Sequence, residues 1–96
     1  MSLDLVYSSQ ARADIKEIAL YIARDNLPAA NRFFAEIEST CELISRNPYI
    51  GQACDSLRPG WRQFSFSHYV ILFRAESETL RILRVFHGSR DWEKII

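Results

Sequence analysis

The sequence predicts an α+β domain in which one helical hairpin packs on one face of an antiparallel sheet. In the first half of the chain, two stretches, 11–24 and 28–47, carry apolar residues at helical spacing. In the second half, the stretches 62–66, 69–73 and 80–86 carry alternating or continuous apolar residues, as strands do. A length of 96 residues suits one domain that spans the whole chain.

A short strand precedes the first helix. Residues 3–7 alternate in the pattern of a strand, and Ser8 and Ser9 are then candidates for the N-cap of the helix. The helix ends at 25–28 because the residue before Pro28 is disfavoured in the α region. Its apolar stripe consists of Ala11, Ile15, Ile18, Ala19 and Ile22.

The second helix begins near Pro28, which suits a first helical turn, and ends at Asn47-Pro48. A connection of about four residues makes the two helices antiparallel neighbours. The apolar stripe of the second helix consists of Ala30, Phe33, Phe34, Ile37, Cys41 and Ile44.

The connection 48–60 has no clear periodicity, so we expect it to be functional or packed on the surface. Two turns, Ser67-His68 and Ser77-Glu78, separate the three strands that follow, and 91–96 can form a last helical turn. The predicted order is therefore β-α-α-β-β-β, a single domain over 1–96.

The strand register predicts that both faces of the sheet are apolar. If Glu76 pairs with Thr79, one face carries Val70, Leu72, Leu83 and Val85, and the other carries Tyr69, Ile71, Phe73, Leu80, Ile82 and Phe86. A solvated face would alternate apolar and polar residues, and one hairpin covers only one face. We expect the second face to be covered by another chain in preference to the tail around Trp92.

Composition excludes several classes of protein. The chain has 12 basic and 12 acidic residues, so bulk attraction to nucleic acid is not expected. No apolar run is long enough to span a membrane, and the N-terminus lacks the features of a signal peptide, so we expect a cytoplasmic protein. Cys41 and Cys54 fit no zinc pattern, and we expect neither a metal nor a cofactor.

The candidates for chemistry are few, because the sequence has no nucleophile elbow, P-loop, zinc-binding HExxH or acidic cluster. In the register above, His68 and His87 face each other beside Arg90. A histidine near several arginines can act as acid or base on a phosphodiester. The alternative is that His87 is a polar strand end bonded to the backbone and that His68 serves the turn.

Ten of the twelve basic residues are arginine, and the segment 49–96 carries a net charge of +2 against −2 for 1–48. Arginines on the strands are either paired with carboxylates or form a basic face for an acidic partner. Trp61 and Trp92 are either anchors of an interface or lids on the core.

Motifs along nearly the whole chain resemble those of one family: 11–15, 21–26, 30–33, 48–51, 57–62, 69–74 and 82–91. The most specific is Arg84-Val-x-His87-Gly-x-Arg90-Asp91. These motifs resemble the ParE branch of the RelE/ParE toxins, the toxins of type II toxin–antitoxin operons. The resemblance implies the β-α-α-β-β-β fold, a cognate ParD-like antitoxin whose disordered C-terminal part folds around the toxin, and inhibition of DNA gyrase with a block of replication.

On this resemblance we predict two sets of contact residues and no direct sequence-specific binding of nucleic acid. The antitoxin-binding set is Arg58, Trp61, Arg62, Val70, Leu72, Arg74, Leu83 and Val85. The target-binding set is Arg84, His87, Arg90 and Trp92.

Two alternatives remain open. RelE-type relatives cut mRNA on the ribosome, and the positions where that branch carries basic residues read Trp61, Gln63 and Val70 here. The C-terminal tyrosine of many such nucleases is also missing, since no tyrosine follows Tyr69. If the chain is a ribonuclease, the catalytic set is Arg62, Arg84, His87 and Arg90. The other alternative is a non-toxic member that serves only as an antitoxin partner.

Overall fold

The computed structural model describes residues 2–89 and 92–94. The described chain contains five strands, two α-helices and one short 3-10 helix. Their order is β1 (Asp4–Tyr7), α1 (Ser9–Ala23), α2 (Leu27–Arg46), β2 (Gln52–Ala53), β3 (Trp61–Phe66), β4 (Tyr69–Ala75), β5 (Thr79–His87) and the 3-10 helix (Trp92–Lys94). The two helices, the first strand and the three long strands of the second half confirm the prediction.

The helices begin where the sequence predicts. The Ser8 hydroxyl accepts the Ala11 N–H at 3.0 Å and caps α1. The Asn26 side chain accepts the Ala29 N–H at 3.0 Å and caps α2, whose first turn contains Pro28. The Ser8 hydroxyl also donates to the Leu83 carbonyl at 2.8 Å, so this cap fixes α1 against β5.

The sheet has the strand order β1-β5-β4-β3-β2, with β1 parallel to β5 and the other pairs antiparallel. The α+β class is confirmed, but the prediction of a wholly antiparallel sheet is wrong because the sheet is mixed. Short turns force antiparallel pairing only between consecutive strands. The strands β1 and β5 are far apart in the chain, because the two helices and the other three strands lie between them. No short turn connects them, so they can pair in parallel.

The strand β2 was not predicted. It pairs with β3 over Gln52 and Ala53, and Gly51 precedes it with a φ of +83°. A Cβ at Gly51 would collide with the backbone carbonyl of Gln63, so the close approach of β2 to β3 requires glycine here. A strand of two residues is too short to show a period in sequence.

The pairing of β4 with β5 begins in the predicted register and then shifts. The Glu76 N–H donates to the Thr79 carbonyl at 2.8 Å, as predicted. A bulge near Leu83 then changes the register, so that Ile71 lies opposite Val85 and Val70 opposite Phe86. Val85 was predicted to share a face with Val70, and Phe86 was predicted to lie on the other face. Both predictions are wrong, because Phe86 shares the face of Val70 and Val85 lies on the helix side.

Each sheet face carries an apolar cluster, as predicted. On the helix side, α1 and α2 pack on strands β4 and β5 through Ala11, Ile15, Ala19, Phe33, Ile37, Cys41, Ile44, Ile71, Phe73, Leu80, Ile82 and Val85. On the reverse side, a smaller cluster consists of Cys54, Val70, Leu72, Phe86 and Trp92, with Leu57, Trp61 and Leu83 at its margin.

The chain itself covers the reverse face. The Trp92 ring stacks on Phe86 with centroids 6.0 Å apart, and the loop with Cys54 and Leu57 packs beside it. Leu72 is fully buried as a result. The expectation that another chain covers this face is therefore wrong. The alternative, in which the tail around Trp92 covers it, agrees with the structure.

Among the described residues, neither helix is both long enough and apolar enough to cross a bilayer.

Candidate functional site

The predicted antitoxin-binding residues with apolar side chains lie mostly inside the protein. Val70 and Leu72 are buried in the reverse-face cluster, and Val85 is buried on the helix side. Leu83 and Trp61 are partly exposed at the margin of the reverse-face cluster. Because the bulge near Leu83 is not visible in the apolar pattern, the sequence does not show that Val85 points to the helices.

The basic members of the same set lie at the surface in contacts within the chain. The Arg58 guanidinium lies 6.0 Å from the centre of the Trp61 ring. Arg74 and Arg81 share one carboxylate, because Glu76 lies 2.6 Å from Arg74 and 3.5 Å from Arg81. Two adjacent guanidinium groups are therefore partly neutralised at the β4–β5 turn.

The Glu76 carboxylate is strongly stabilised in its charged form. The hydrogen bond from Arg74 is the main cause, followed by the Thr79 hydroxyl, and they lower the pKa of Glu76 from 4.5 to about 2. A lowered pKa in the folded state contributes stability above about pH 4.5, and that contribution is lost as the pH falls towards about 2.

We expect Glu76→Gln to reduce the stability at neutral pH, because the neutral amide loses the charged contacts to the two arginines. The difference from the wild type should shrink below about pH 4.5 and disappear near pH 2. Urea unfolding monitored by tryptophan fluorescence across this range measures it. Glu78→Gln, at an exposed carboxylate of the same turn, is the control. An unchanged difference at the acidic end would contradict the linkage.

Arg62 holds the loop after α2. Its guanidinium donates to the Tyr49 carbonyl at 2.6 Å and to the Gly51 carbonyl at 3.2 Å, and its Nε donates to the Ile50 carbonyl at 3.5 Å. The Tyr49 ring lies 5.9 Å below the guanidinium. This side chain therefore fixes the connection between α2 and β2.

Arg84 connects the two layers of the protein beside β5. Its Nε and a terminal nitrogen donate to the two oxygens of Asp14 on α1 at 2.7 and 2.9 Å. The same carboxylate accepts the Val85 N–H at 3.0 Å. The guanidinium also lies 4.5 Å from the centre of the Phe86 ring. The hydrogen bonds to Asp14 raise the pKa of Arg84 further.

The two histidines meet at the β3–β4 turn, although the register shift places Tyr69, and not His68, opposite His87. The rings of His68 and His87 are stacked with centroids 6.2 Å apart, and the edge of Tyr69 faces His87 at 5.6 Å. The Nδ1 atom of His87 accepts the Ser89 N–H at 3.1 Å. His87 is exposed, so its ring is available to a partner.

A groove of about 670 Å³ leads from His87 to α1. Tyr69 and His87 form one wall, and Ile18, Leu20 and Tyr21 form part of the other. Of the rest of the predicted target-binding set, Trp92 is buried under the sheet, Arg84 is bonded to Asp14, and Arg90 lies outside the described residues.

Three residues of the ribonuclease alternative, Arg62, Arg84 and His87, are described by the structure and are not gathered at one place, and Arg90 lies outside the described residues. Arg62 and Arg84 lie on strands that β4 separates, and their guanidinium groups bind the loop 49–51 and Asp14 respectively. On β4, Tyr69 lies opposite His87 and Leu72 lies opposite Arg84, so the two pairs are three residues apart. Each strand residue adds about 3.3 Å, so the two pairs lie roughly 10 Å apart.

The two cysteines are free thiols. Burial raises the pKa of Cys41 to about 11, so this thiol stays protonated at neutral pH. Burial also raises the pKa of Cys54. Within residues 2–89 and 92–94, no three His, Cys, Asp or Glu side chains are grouped so that they would hold a metal ion.

Two surface features were missed in the sequence. One is an apolar tip on the helical hairpin, where Leu20, Tyr21 and Leu27 are more than half exposed. Leu20 and Tyr21 fall outside the apolar stripe of α1. Apolar residues outside the stripe are expected to be exposed, so their positions in the sequence could have revealed this surface. The other is a groove beside β1, between the two helices, whose lining comes from three separate elements.

The chain is similar to known toxins over almost its whole length. A family model described as "ParE toxin of type II toxin-antitoxin system, parDE" matches residues 5–92. "Toxin ParE1" of Mycobacterium tuberculosis is 30% identical over 96 residues, which cover 98% of each chain.

Solved structures support the same fold. The chromosomal ParDE toxin–antitoxin system of P. aeruginosa contains a chain that superposes with a TM-score of 0.76 at 20% identity, over 90% of this chain and 96% of that one. The toxin–antitoxin complex RelBE2 of Mycobacterium tuberculosis gives a TM-score of 0.68 at 22% identity, over 91% of this chain and 99% of that one.

Proposed function

The chain belongs to the ParE toxin family of type II toxin–antitoxin systems, within the RelE/ParE superfamily, and from this premise we propose that it arrests growth by binding DNA gyrase. The bound enzyme no longer completes its supercoiling cycle, and replication stops. A ParD-like antitoxin neutralises the toxin by binding it in the cytoplasm. The action is that of a clamp on a large enzyme rather than that of a catalyst.

The state of the arginines is the observation that carries this proposal. Cutting RNA requires an acid, a base and free positive charge at one place. Here the Arg62 guanidinium donates hydrogen bonds to the loop after α2, and the Arg84 guanidinium donates to Asp14. Both guanidinium groups therefore have structural partners, which favours action by binding over action by cleavage.

The apolar tip of the hairpin supports a protein as the target. Leu20 and Tyr21 are 58% and 71% exposed, and they border the groove that ends at His87. Contiguous exposed apolar and aromatic groups are typical of surfaces that bind proteins. This surface keeps His87 in the target-binding set and adds the hairpin tip to it.

A supercoiling assay with purified DNA gyrase and the purified chain tests the proposal. We expect loss of supercoiling and accumulation of cleaved DNA. Tyr21→Ala combined with His87→Ala should weaken the inhibition about tenfold or more, because truncation of an interface anchor removes over about 1.4 kcal/mol. Tyr49→Ala, which removes an exposed tyrosine from another surface, is the matched control.

Other outcomes would separate the alternatives. Unimpaired supercoiling together with cleavage of mRNA on translating ribosomes, abolished by His87→Ala, would replace the proposal with RelE-type activity. Expression without any growth arrest, in cells that lack the antitoxin, would show a non-toxic member of the family.

A further inference from the structure

One side of α1, near its C-terminal end, carries a short pattern of exposed side chains. Glu17, Leu20, Tyr21 and Arg24 are spaced so that they lie on the same side of the helix over two turns. Leu20 and Tyr21 are 58% and 71% exposed, and both charged side chains are exposed as well. These four residues, the α1 strip, present an apolar centre between an acidic and a basic end.

The two charged ends of the α1 strip are available to a partner. Within residues 2–89 and 92–94, neither Glu17 nor Arg24 forms an ion pair. Glu17 acts on the charge of Arg84, but that guanidinium already donates to both oxygens of Asp14. A surface that covers the strip must therefore bring a basic group to Glu17 and an acidic group to Arg24.

A second copy of the same strip meets this requirement when it runs antiparallel to the first. A two-fold axis that passes between Leu20 and Tyr21 lies equally far from Glu17 and from Arg24 along the helix. It brings Glu17 of each copy opposite Arg24 of the other, and Leu20 of each copy opposite Tyr21 of the other. Both charges and the apolar centre are then matched by one symmetry operation.

The groove that leads from α1 to His87 gives the second copy a place for its tyrosine. All four residues of the α1 strip line this groove of about 670 Å³, together with Ile18 and Tyr69. A projecting aromatic ring therefore adjoins an apolar concave surface on the same side of the molecule. Each copy supplies one projection and one groove, which favours a second copy over an unrelated chain as the occupant.

We propose that two copies of the chain associate through the α1 strip, with their first helices antiparallel across a two-fold axis. Tyr21 of each copy enters the groove of the other, and two ion pairs between Glu17 and Arg24 flank the apolar centre. A strip of four residues is far smaller than a standard interface, so the association is weak, with a dissociation constant in the micromolar range or above.

This contact covers the surface that we propose for the target. Leu20, Tyr21 and His87 cannot meet a second copy and DNA gyrase at the same time, so the associated form is one in which the target surface is covered. This consequence rests on the proposed function, whereas the self-association does not. Gyrase added to the associated chain should dissociate it. An assembly in which gyrase binds two copies still joined through α1 would contradict the shared surface.

Charge exchange between two variants tests the contact. Sedimentation velocity of the purified chain, from micromolar to millimolar concentration, measures the association. Glu17→Arg alone and Arg24→Glu alone should each weaken it at least about tenfold, because like charges then meet at both ends of the contact. The two variants mixed in equal amounts should associate with each other, since every acidic group again faces a basic one. The double variant should associate as the wild type does.

Lys16→Glu is the matched control. It reverses an exposed charge on the same helix, but Lys16 lines the groove beside β1 and not the one that leads to His87. This variant should associate as the wild type does, and circular dichroism confirms that every variant is folded.

Three results would overturn the self-association: a wild type that is monomeric at every concentration, single variants that associate as tightly as the wild type, or a mixture of the two that stays monomeric. The sedimentation measurement on the chain alone contains no gyrase, so its outcome is independent of the supercoiling assay. Failure of the proposed function and failure of this contact are therefore distinguishable.

Discussion

Trp92→Ala should lower the free energy of unfolding by about 3–5 kcal/mol, the usual range for truncating a buried large aromatic residue. Trp92 is only 6% exposed, and its ring stacks on Phe86 at 6.0 Å between centroids. Its removal uncovers the reverse-face cluster, and Val70 and Leu72 lose part of their cover. Urea unfolding monitored by circular dichroism measures the loss.

Matched variants show whether the effect comes from covering the sheet. Trp92→Phe keeps an aromatic ring on Phe86 and should lose about half as much or less. Tyr21→Ala truncates an aromatic residue that is 71% exposed and should change stability by no more than about 0.5 kcal/mol. Trp92→Ala should also bind a hydrophobic dye. Unchanged stability of Trp92→Ala would contradict the conclusion that Trp92 covers the reverse face.

The sequence predicts that both faces of the sheet are apolar, but it does not predict what covers the second face. The apolar character of both faces follows from the composition of β4 and β5, and the structure confirms it. What covers the second face depends on where a loop and a short terminal segment fold back. These segments lack a period, so the sequence does not show that Leu57 and Trp92 pack there.

The assignment of residues to faces fails for a related reason. A single bulge near Leu83 moves Val85 to the helix side and Phe86 to the reverse side. A bulge exchanges the faces of all later residues of a strand, yet it changes nothing in the apolar pattern when both faces are apolar. The helices were easier to predict because Ser8, Asn26 and Pro28 mark their starts by local chemistry.

The candidate sites depend on contacts between residues far apart in sequence. Seventy positions separate Asp14 from Arg84, and no local pattern connects them. The sequence identifies Arg84 as a notable residue, but only the structure shows that a carboxylate on α1 holds it. The β1 groove was missed for the same reason, because three elements contribute its lining.

The contact between Asp14 and Arg84 leads to a second large expected effect. Asp14→Ala should lower the free energy of unfolding by about 2–4 kcal/mol, since it strands a charge and a backbone donor in a mostly buried place. The side chains of Asp14 and Arg84 are only 13% and 18% exposed. The variant leaves the Arg84 guanidinium beside Phe86 without its anion, and the Val85 N–H without its acceptor.

Two further variants separate the charge from the hydrogen bonds. Asp14→Asn keeps an acceptor for the Val85 N–H and should lose less than Asp14→Ala. Combining Asp14→Ala with Arg84→Met should recover part of the loss, because an apolar pair often replaces a buried ion pair without penalty. Glu36→Ala, at an exposed helical carboxylate, should change stability by no more than about 0.5 kcal/mol. Urea unfolding of these variants, and of Arg84→Met alone, forms the test. If the losses of Asp14→Ala and Arg84→Met simply add in the double variant, the two side chains are not coupled and the contact does not stabilise the fold as we expect.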